Sequence, residues 1–191
     1  MIAAVAQTLA AGGTVWVGDE TTLREFPPLR AAWARRGEQA TVVISGRNGR
    51  RVLFGAVNLA TAERVELVRE RHQGADSAAF VAVLGTKRLA AADRVPWLLI
   101  WDNAPAHQPK IVQQALGAAG ITVAWLPFRS PELNPCEDLW RHLKRLIAAN
   151  RVYPTVDELA ERAVAWLSGL SAEQTFRLAG LRSSKFSWLP T

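Results

Sequence analysis

The 191-residue chain has a single cysteine, Cys136. One thiol excludes an internal disulfide and makes a cysteine-ligated zinc centre a poor reading. Long apolar runs are missing as well. Nothing approaches the roughly 18 residues a membrane span needs, so no membrane partner is expected. The opening stretch MIAAVAQTLAAGG (1–13) is apolar but lacks a basic n-region. That argues against a signal peptide and for a cytoplasmic protein. No internal repeat and no low-complexity segment interrupts the chain. Acids are in deficit, 17 against 23 lysines and arginines, which gives a net charge of +6 and a sequence pI near 10.4. That excess suits a polyanionic partner, although some cytosolic proteins are simply arginine-rich.

What is present fits one globular domain with a real core, with or without a helical appendage: 49% of residues are hydrophobic and 21% charged. The informative stretches are WLLIWDNAPAH (97–107), ITVAWLP (121–127) and SPELNPCEDLWRHLKRL (130–146). The first is a wholly apolar run ending in an acid, the pattern of a buried strand that delivers Asp102 to a sheet edge. The third reads as a helix opened by Asn134 and Pro135, with Glu137 in its first turn. Residues 103–136, 34 positions, separate the two acids. Asp19 closes an equally apolar run, TVWVGDET (14–21). Three converging carboxylates repel one another unless cations lie between them, so the constellation asks for divalent metal.

Taken in order, residues 2–11 predict an Ala-rich helix broken at Gly12 and Gly13, and TVWVGDET a first strand. Gly18 leaves room there for a ligand or backbone to come close. Residues 23–51 read as a long irregular excursion carrying Arg24, Arg30, Arg35, Arg36, Arg47, Arg50 and Arg51. Trp33 within it is expected to lie under the loop as a small satellite core rather than to stack on a base. RVLFGAVNL (51–59) and ERVELVRER (63–71) predict antiparallel strands joined near Ala60–Ala62. A helix over 77–93, capped by Asp76 or Ser77 and weakened by Gly85, leads to the strand ending at Asp102. Then come a helix over 108–120, a fifth strand at 121–127, and helices over 134–150 and 155–170, the latter with a Thr155/Glu158 capping box. A short helix and a tail finish the chain. Three strands before the first crossover give a mixed α/β sheet with strands 1–3 antiparallel and strands 4 and 5 parallel to strand 1. Residues 1–13 form a lead-in, 14–150 the domain, and 151–191 a helical extension packed on it.

Helix 134–150 is expected to bury Cys136, Leu139, Trp140, Leu143, Leu146 and Ile147. Another of its stripes carries Glu137, Arg141 and Lys144, an acid and two cations suited to a metal-bound phosphodiester with flanking phosphates. Simpler readings exist. Glu137 at the third helical position could close a capping box on Asn134, or pair with Arg141. Glu20 and Glu132 are rival acids, Glu20 on the side of the strand opposite Asp19. Asp138 is expected on the surface four residues before His142. His107 is expected as a hydrogen-bonding residue more than a metal ligand, and His72 and His142 as surface residues. Trp16, Trp97, Trp101, Trp125, Trp140 and Trp166 fall at core spacing.

Asp19 in GDET, Asp102 in WDNAPAH and Glu137 in LPFRSPELNPCEDLWRHLK together resemble the catalytic acids of mariner-like DDE-superfamily transposases, in the bacterial insertion-sequence branch. The likeness runs from about Val15 to Lys144 and fades through the C-terminal helices. It implies an RNase H-like fold and two Mg²⁺ (or Mn²⁺) ions, roughly 3.5–4 Å apart, held by Asp19, Asp102 and Glu137. It implies cleavage of DNA phosphodiesters at element ends and strand transfer of the 3′-OH ends into target DNA, typically at TA. It gives Asn103, His107, Asn134 and Pro135 supporting roles, and a homodimer on DNA in the bacterial nucleoid as the working assembly. Arg35, Arg36, Arg47, Arg50, Arg51, Arg141 and Lys144 are the candidate DNA-binding residues. The family pattern also has an N-terminal helix-turn-helix, and 18 residues before Asp19 are too few for one. The chain then reads as a catalytic fragment, the second half of a split reading frame, or a decayed copy. The rival functions are a related RNase H-like nuclease and a non-catalytic DNA-binding remnant or partner of a split transposase.

Overall fold

The computed structural model describes residues 1–44, 46–91, 94–128 and 130–186. Five strands form one sheet: β1 (Thr14–Arg24), β2 (Arg50–Asn58), β3 (Arg64–Arg69), β4 (Trp97–Trp101) and β5 (Ile121–Trp125). The spatial order is β3-β2-β1-β4-β5. β1 pairs antiparallel with β2 and parallel with β4, β2 pairs antiparallel with β3, and β5 runs parallel to β4. This is the mixed sheet expected from the sequence. The helices are α1 (Ile2–Ala10), α2 (Gly74–Ala91), α3 (Lys110–Ala119), α4 (Pro135–Leu143), α5 (Val156–Ser168) and α6 (Ala172–Leu178).

The sheet has a core on each face. Trp16, Phe54, Leu99 and Trp101 pack against Phe80 and Leu84 of α2 and Val112 and Leu116 of α3. On the opposite face Leu23, Leu53 and Val57 meet α4 and α5, while Val15, Val17, Leu98 and Ile100 meet Val5 of α1. Side chains alternate along β1, so even positions belong to the α2/α3 face and odd ones to the α4 face. Asp19 and Glu20 therefore leave the same strand in opposite directions. All five residues of β4 are buried, as covered parallel strands require.

Several expectations are corrected. Gly85 is a packing device: a Cβ there would stand 2.8 Å from Ala119 Cβ, so its absence lets α2 and α3 approach closely. Helix α2 starts at Gly74, which puts Asp76 in its first turn, bound to the Gln73 amide and Arg69 rather than capping from outside. The predicted last residues of that helix, 92 and 93, lie outside the described residues. A Cβ at Gly18 would press on Leu99 and Trp101, so what comes close there is core side chain, not ligand. β1 runs three residues further than expected, to Arg24, and the excursion is confined to 25–49. Trp33 in it is fully exposed and forms no satellite core. After Leu143, the residues Lys144–Ala148 form a π turn whose extra residue shifts the helical phase. Leu146 consequently faces solvent and Ala148 takes the buried place. Thr155 accepts from the Glu158 amide as expected, while the reciprocal capping box occurs at Ser171 and Gln174 of α6.

Candidate active site

The parallel pairing of β1 with β4 ends at Val17 and Ile100. Beyond it the two strands present Asp19 and Asp102 on the α4 face. The SPELNP segment brings the third acid. Pro131–Leu133 make a single 3₁₀ turn, and Asn134 then sits extended, as a residue before proline prefers. The Asn134 side-chain carbonyl accepts from the Cys136 amide at 3.0 Å and caps α4, with Pro135 at its first position. The Asn134 side-chain amide donates to the Gly18 carbonyl at 3.3 Å, and the Cys136 thiol to the Val17 carbonyl at 3.2 Å. Helix α4 is thus clipped onto β1 immediately before Asp19. Asn134 and Cys136 are buried, and burial pushes the Cys136 thiol well up, which keeps it neutral. No capping box forms on Glu137: the Asn134 amide donates to the Pro131 carbonyl, and the Glu137 side chain is left exposed toward the site.

Asp19, Asp102 and Glu137 line a single cavity of about 340 Å³, with Asn103, Leu126, Phe128 and Asn134 also in its wall. Asp19 is 7% exposed and its Oδ2 is buried with no hydrogen-bond partner among the described residues. Burial, then the charges of Glu20, Glu137 and Asp102, raise its pKa well above the usual carboxylate range. A buried acceptor facing two further carboxylates is the donor set of a hard divalent cation, so the residues present fit such an ion.

The DNAPAH turn supports Asp102. Its Oδ1 accepts from the Ala104 amide at 3.2 Å, and a 3₁₀ turn over Pro105–His107 folds His107 back beneath it. The His107 ring is completely buried and stacks on Trp101 with 3.6 Å between centroids. Its Nδ1 lies 2.9 Å from Asp102 Oδ1 and 3.0 Å from the Asp102 carbonyl, two acceptors, so this nitrogen carries the proton. Its Nε2 lies 3.1 Å from Glu20 Oε1, which also accepts from the Trp101 indole at 2.9 Å. Burial alone would lower the His107 pKa, but its bonds to Asp102 and Glu20 outweigh that and carry it up to about 9. The His107 hydrogen bond in turn holds Asp102 below the usual carboxylate range. His107 is therefore a hydrogen-bonding residue, as its sequence context suggests. Glu20 is less a rival to Asp19 than the far anchor of this relay. His72 also joins it, its Nε2 3.6 Å from Glu20 Oε2. Strand alternation identified Glu20's direction, but no sequence signal singled out His72.

The basic candidates are dispersed. Arg35, Arg36 and Arg50 are exposed. Arg47 pairs with Glu25 at 2.6 Å, and Arg51 with Asp157 at 2.7 Å. Arg141 pairs with Asp138 at 2.7 Å, and Lys144 is partly buried where α4 passes into the π turn. Asp138 is only 14% exposed at its side chain and also binds Lys185, not His142.

The family model described as DDE superfamily endonuclease matches residues 14–160. The chain belongs to this family. Among relatives, the 39 kDa protein of insertion element IS630 from Shigella sonnei is 30% identical over 160 residues, covering 82% of this chain and 45% of that protein. The transposable element Tc3 transposase of Caenorhabditis elegans is 30% identical over 132 residues, 66% of this chain and 40% of that protein. The chain spans less than half the length of these relatives. The solved Mos1 transposase paired-end complex with its left transposon end superposes with a TM-score of 0.69 at 16% identity, over 98% of this chain and 56% of that one. The isolated Mos1 mariner catalytic domain gives 0.63 at 15% identity, over 97% and 85%. The fold is therefore the RNase H-like fold of that domain. Among the described residues no helix is long and apolar enough to cross a membrane.

Proposed function

We propose that the chain is a transposase catalytic domain that cleaves DNA phosphodiesters at element ends and transfers the 3′-OH ends into target DNA. Asp19, Asp102 and Glu137 are the metal-binding catalytic acids. The observation that carries this reading is their shared cavity, with an orphaned Asp19 oxygen among three carboxylates. Mg²⁺ or Mn²⁺, as a pair of ions, supplies charge neutralisation at the scissile phosphate and an acidified water or 3′-hydroxyl when bound. The protein's own part is positional. β1 and β4 present two acids side by side, Asn134 and Pro135 fix the entry of α4 and hence Glu137, and His107 orients Asp102. Asn103 at the cavity wall is placed to meet DNA near the cut. Arg141 and Lys144, on the helix that carries Glu137, are candidates for flanking phosphates, with Arg35, Arg36, Arg47, Arg50 and Arg51 as a second basic group. A TA target, a homodimer on DNA, a separately encoded N-terminal helix-turn-helix and nucleoid association complete the proposal. The Mos1 complexes with transposon ends, including one with Mn and one with Mg, make DNA and a divalent ion the first ligands to try.

The test is Mn²⁺-dependent joining of a pre-cleaved DNA end to a TA-containing plasmid. Joining by the wild-type chain and its loss in Asp102→Asn is the expected result. Equal activity in that variant would remove Asp102 from the site. Cutting of branched or hybrid substrates without joining would favour an RNase H-like nuclease, and DNA retention without turnover a binding remnant.

A further inference from the structure

Glu20, His72 and His107 come from three separate parts of the chain: β1, the link between β3 and α2, and the turn after β4. Their polar atoms meet on the α2/α3 face. His107 Nε2 lies 3.1 Å from Glu20 Oε1, His72 Nε2 3.6 Å from Glu20 Oε2, and the two Nε2 atoms 3.3 Å from each other. A tetrahedral ion bound at about 2.0–2.1 Å holds its ligand atoms roughly 3.3–3.4 Å apart. The two nitrogens already have that separation, and with one oxygen of Glu20 the three ligand atoms lie within 4.8 Å of one another, so a small movement of the carboxylate closes the set.

The chemistry agrees with the spacing. His107 Nδ1 is committed as a donor to Asp102, which leaves Nε2 as the nitrogen turned toward the group. A histidine whose outer nitrogen is held by a carboxylate is the usual arrangement of a metal-bound imidazole, because the carboxylate fixes the ring and raises its basicity. Two imidazole nitrogens 3.3 Å apart are satisfied either by a hydrogen bond between them or by a metal ion that both ligate. Both rings are also braced, His107 by its stack on Trp101 and His72 by the edge of Phe54 with centroids 5.6 Å apart. The His72 side chain is 34% exposed, so an ion can enter from that side and keep a water as fourth ligand.

We propose that Glu20, His72 and His107 form a second metal site, distinct from the three-carboxylate cavity and selective for Zn²⁺-class ions. Two imidazoles and one carboxylate prefer Zn²⁺ or Co²⁺, whereas the all-oxygen set of Asp19, Asp102 and Glu137 suits Mg²⁺ or Mn²⁺. The two sites share the His107–Asp102 hydrogen bond, so filling the second stiffens an acid of the first.

The test is Co²⁺ titration of the chelator-stripped chain in excess Mg²⁺, read by visible absorption, with Zn²⁺ as competitor. The expected result is an intense four-coordinate Co²⁺ band that Zn²⁺ abolishes and that persists in Asp19→Asn. His72→Ala and the bulkier His72→Gln, each checked for folding by circular dichroism, weaken Co²⁺ binding by at least about a hundredfold. Failure of the wild-type chain to give the band overturns the site. So does a band that survives both His72 variants or disappears with Asp19→Asn. None of these readouts depends on DNA cleavage.

Discussion

Asp19 and Glu20 are neighbours in sequence and opposites in circumstance. Glu20 faces α2 and α3, and its oxygens meet the Trp101 indole, His107 and His72. Asp19 faces α4, where it has a buried orphaned oxygen and two further acids across a shared cavity. One carboxylate is compensated by the fold and the other is left for something outside it. A folded chain tolerates an uncompensated buried acid where a ligand repays it. The pair thus separates support from site within one dipeptide.

The largest effect expected from breaking this contrast is on activity. Asp102→Asn or Glu137→Gln removes a carboxylate from the cavity and, on the proposed function, should lower Mn²⁺-dependent strand joining by about a thousandfold or more, several kcal/mol of transition-state stabilisation. Glu20→Gln keeps the shape of the relay but loses its charge, and should cost only about ten- to a hundredfold in joining rate or Mn²⁺ affinity. A Glu20→Gln defect as deep as that of Asp102→Asn would place Glu20 in the site itself.

Stability should reverse the ranking. Glu20→Ala strands the Trp101 indole and the buried His107, and is expected to cost about 2–4 kcal/mol by denaturant unfolding. Asp19→Asn relieves a buried repulsion and should raise metal-free stability by about 1 kcal/mol. Added Mn²⁺ should then stabilise the wild type, by about 2.7 kcal/mol at a hundredfold excess over Kd, and leave Asp19→Asn unchanged.

A pH series sharpens the same point. His107 titrates near 9 when folded against about 6.5 when unfolded, so its contribution is fully present below 6.5 and is lost as pH rises through 9. With chelator present, unfolding free energy should fall across that window by up to about 3 kcal/mol, and Glu20→Ala should flatten the fall. A slope unchanged in the variant would show that Glu20 does not hold the proton.

Much of this geometry is legible in the sequence because it is local. Two apolar runs, one reaching Asp19 and one followed by Asp102, an Asn-Pro helix start and a 34-residue interval between Asp102 and Glu137 are enough to predict two strands, a helix and their acids. What is illegible is set by contacts between distant segments. His72 is ordinary by composition and joins the Glu20 group only because the link after β3 brings its ring past Phe54 of β2 to Glu20. Trp33 is large and apolar, yet its loop finds nothing to cover it. Leu146 has perfect helical spacing, and the single extra residue of a π turn rotates it into water. Asp138 has His142 within reach along its helix, but one of its oxygens pairs with Arg141 and the other with Lys185, 47 residues on. Periodicity describes an element in isolation, and each of these outcomes depends on a neighbour that periodicity does not contain.

The most local effect expected concerns how α4 carries Glu137 into the cavity it shares with Asp19. Gly55 of β2 lies directly opposite Asp19, on the same face. A Cβ there would stand 2.5 Å from the Trp140 ring, one turn along from Glu137 on α4. The missing side chain is what makes room for the outer edge of the indole against the sheet, so Gly55→Ala should push α4 outward at about 1–3 kcal/mol in stability. The displacement acts on the Asp19 face alone, so Mn²⁺ affinity should drop while the Glu20–His107 relay and its pH dependence stay intact. Adding Trp140→Leu should make the glycine substitution nearly neutral, a coupling that a double-mutant cycle measures directly. Strict additivity of the two changes would mean that the Trp140 contact does not set the height of Glu137 above the sheet.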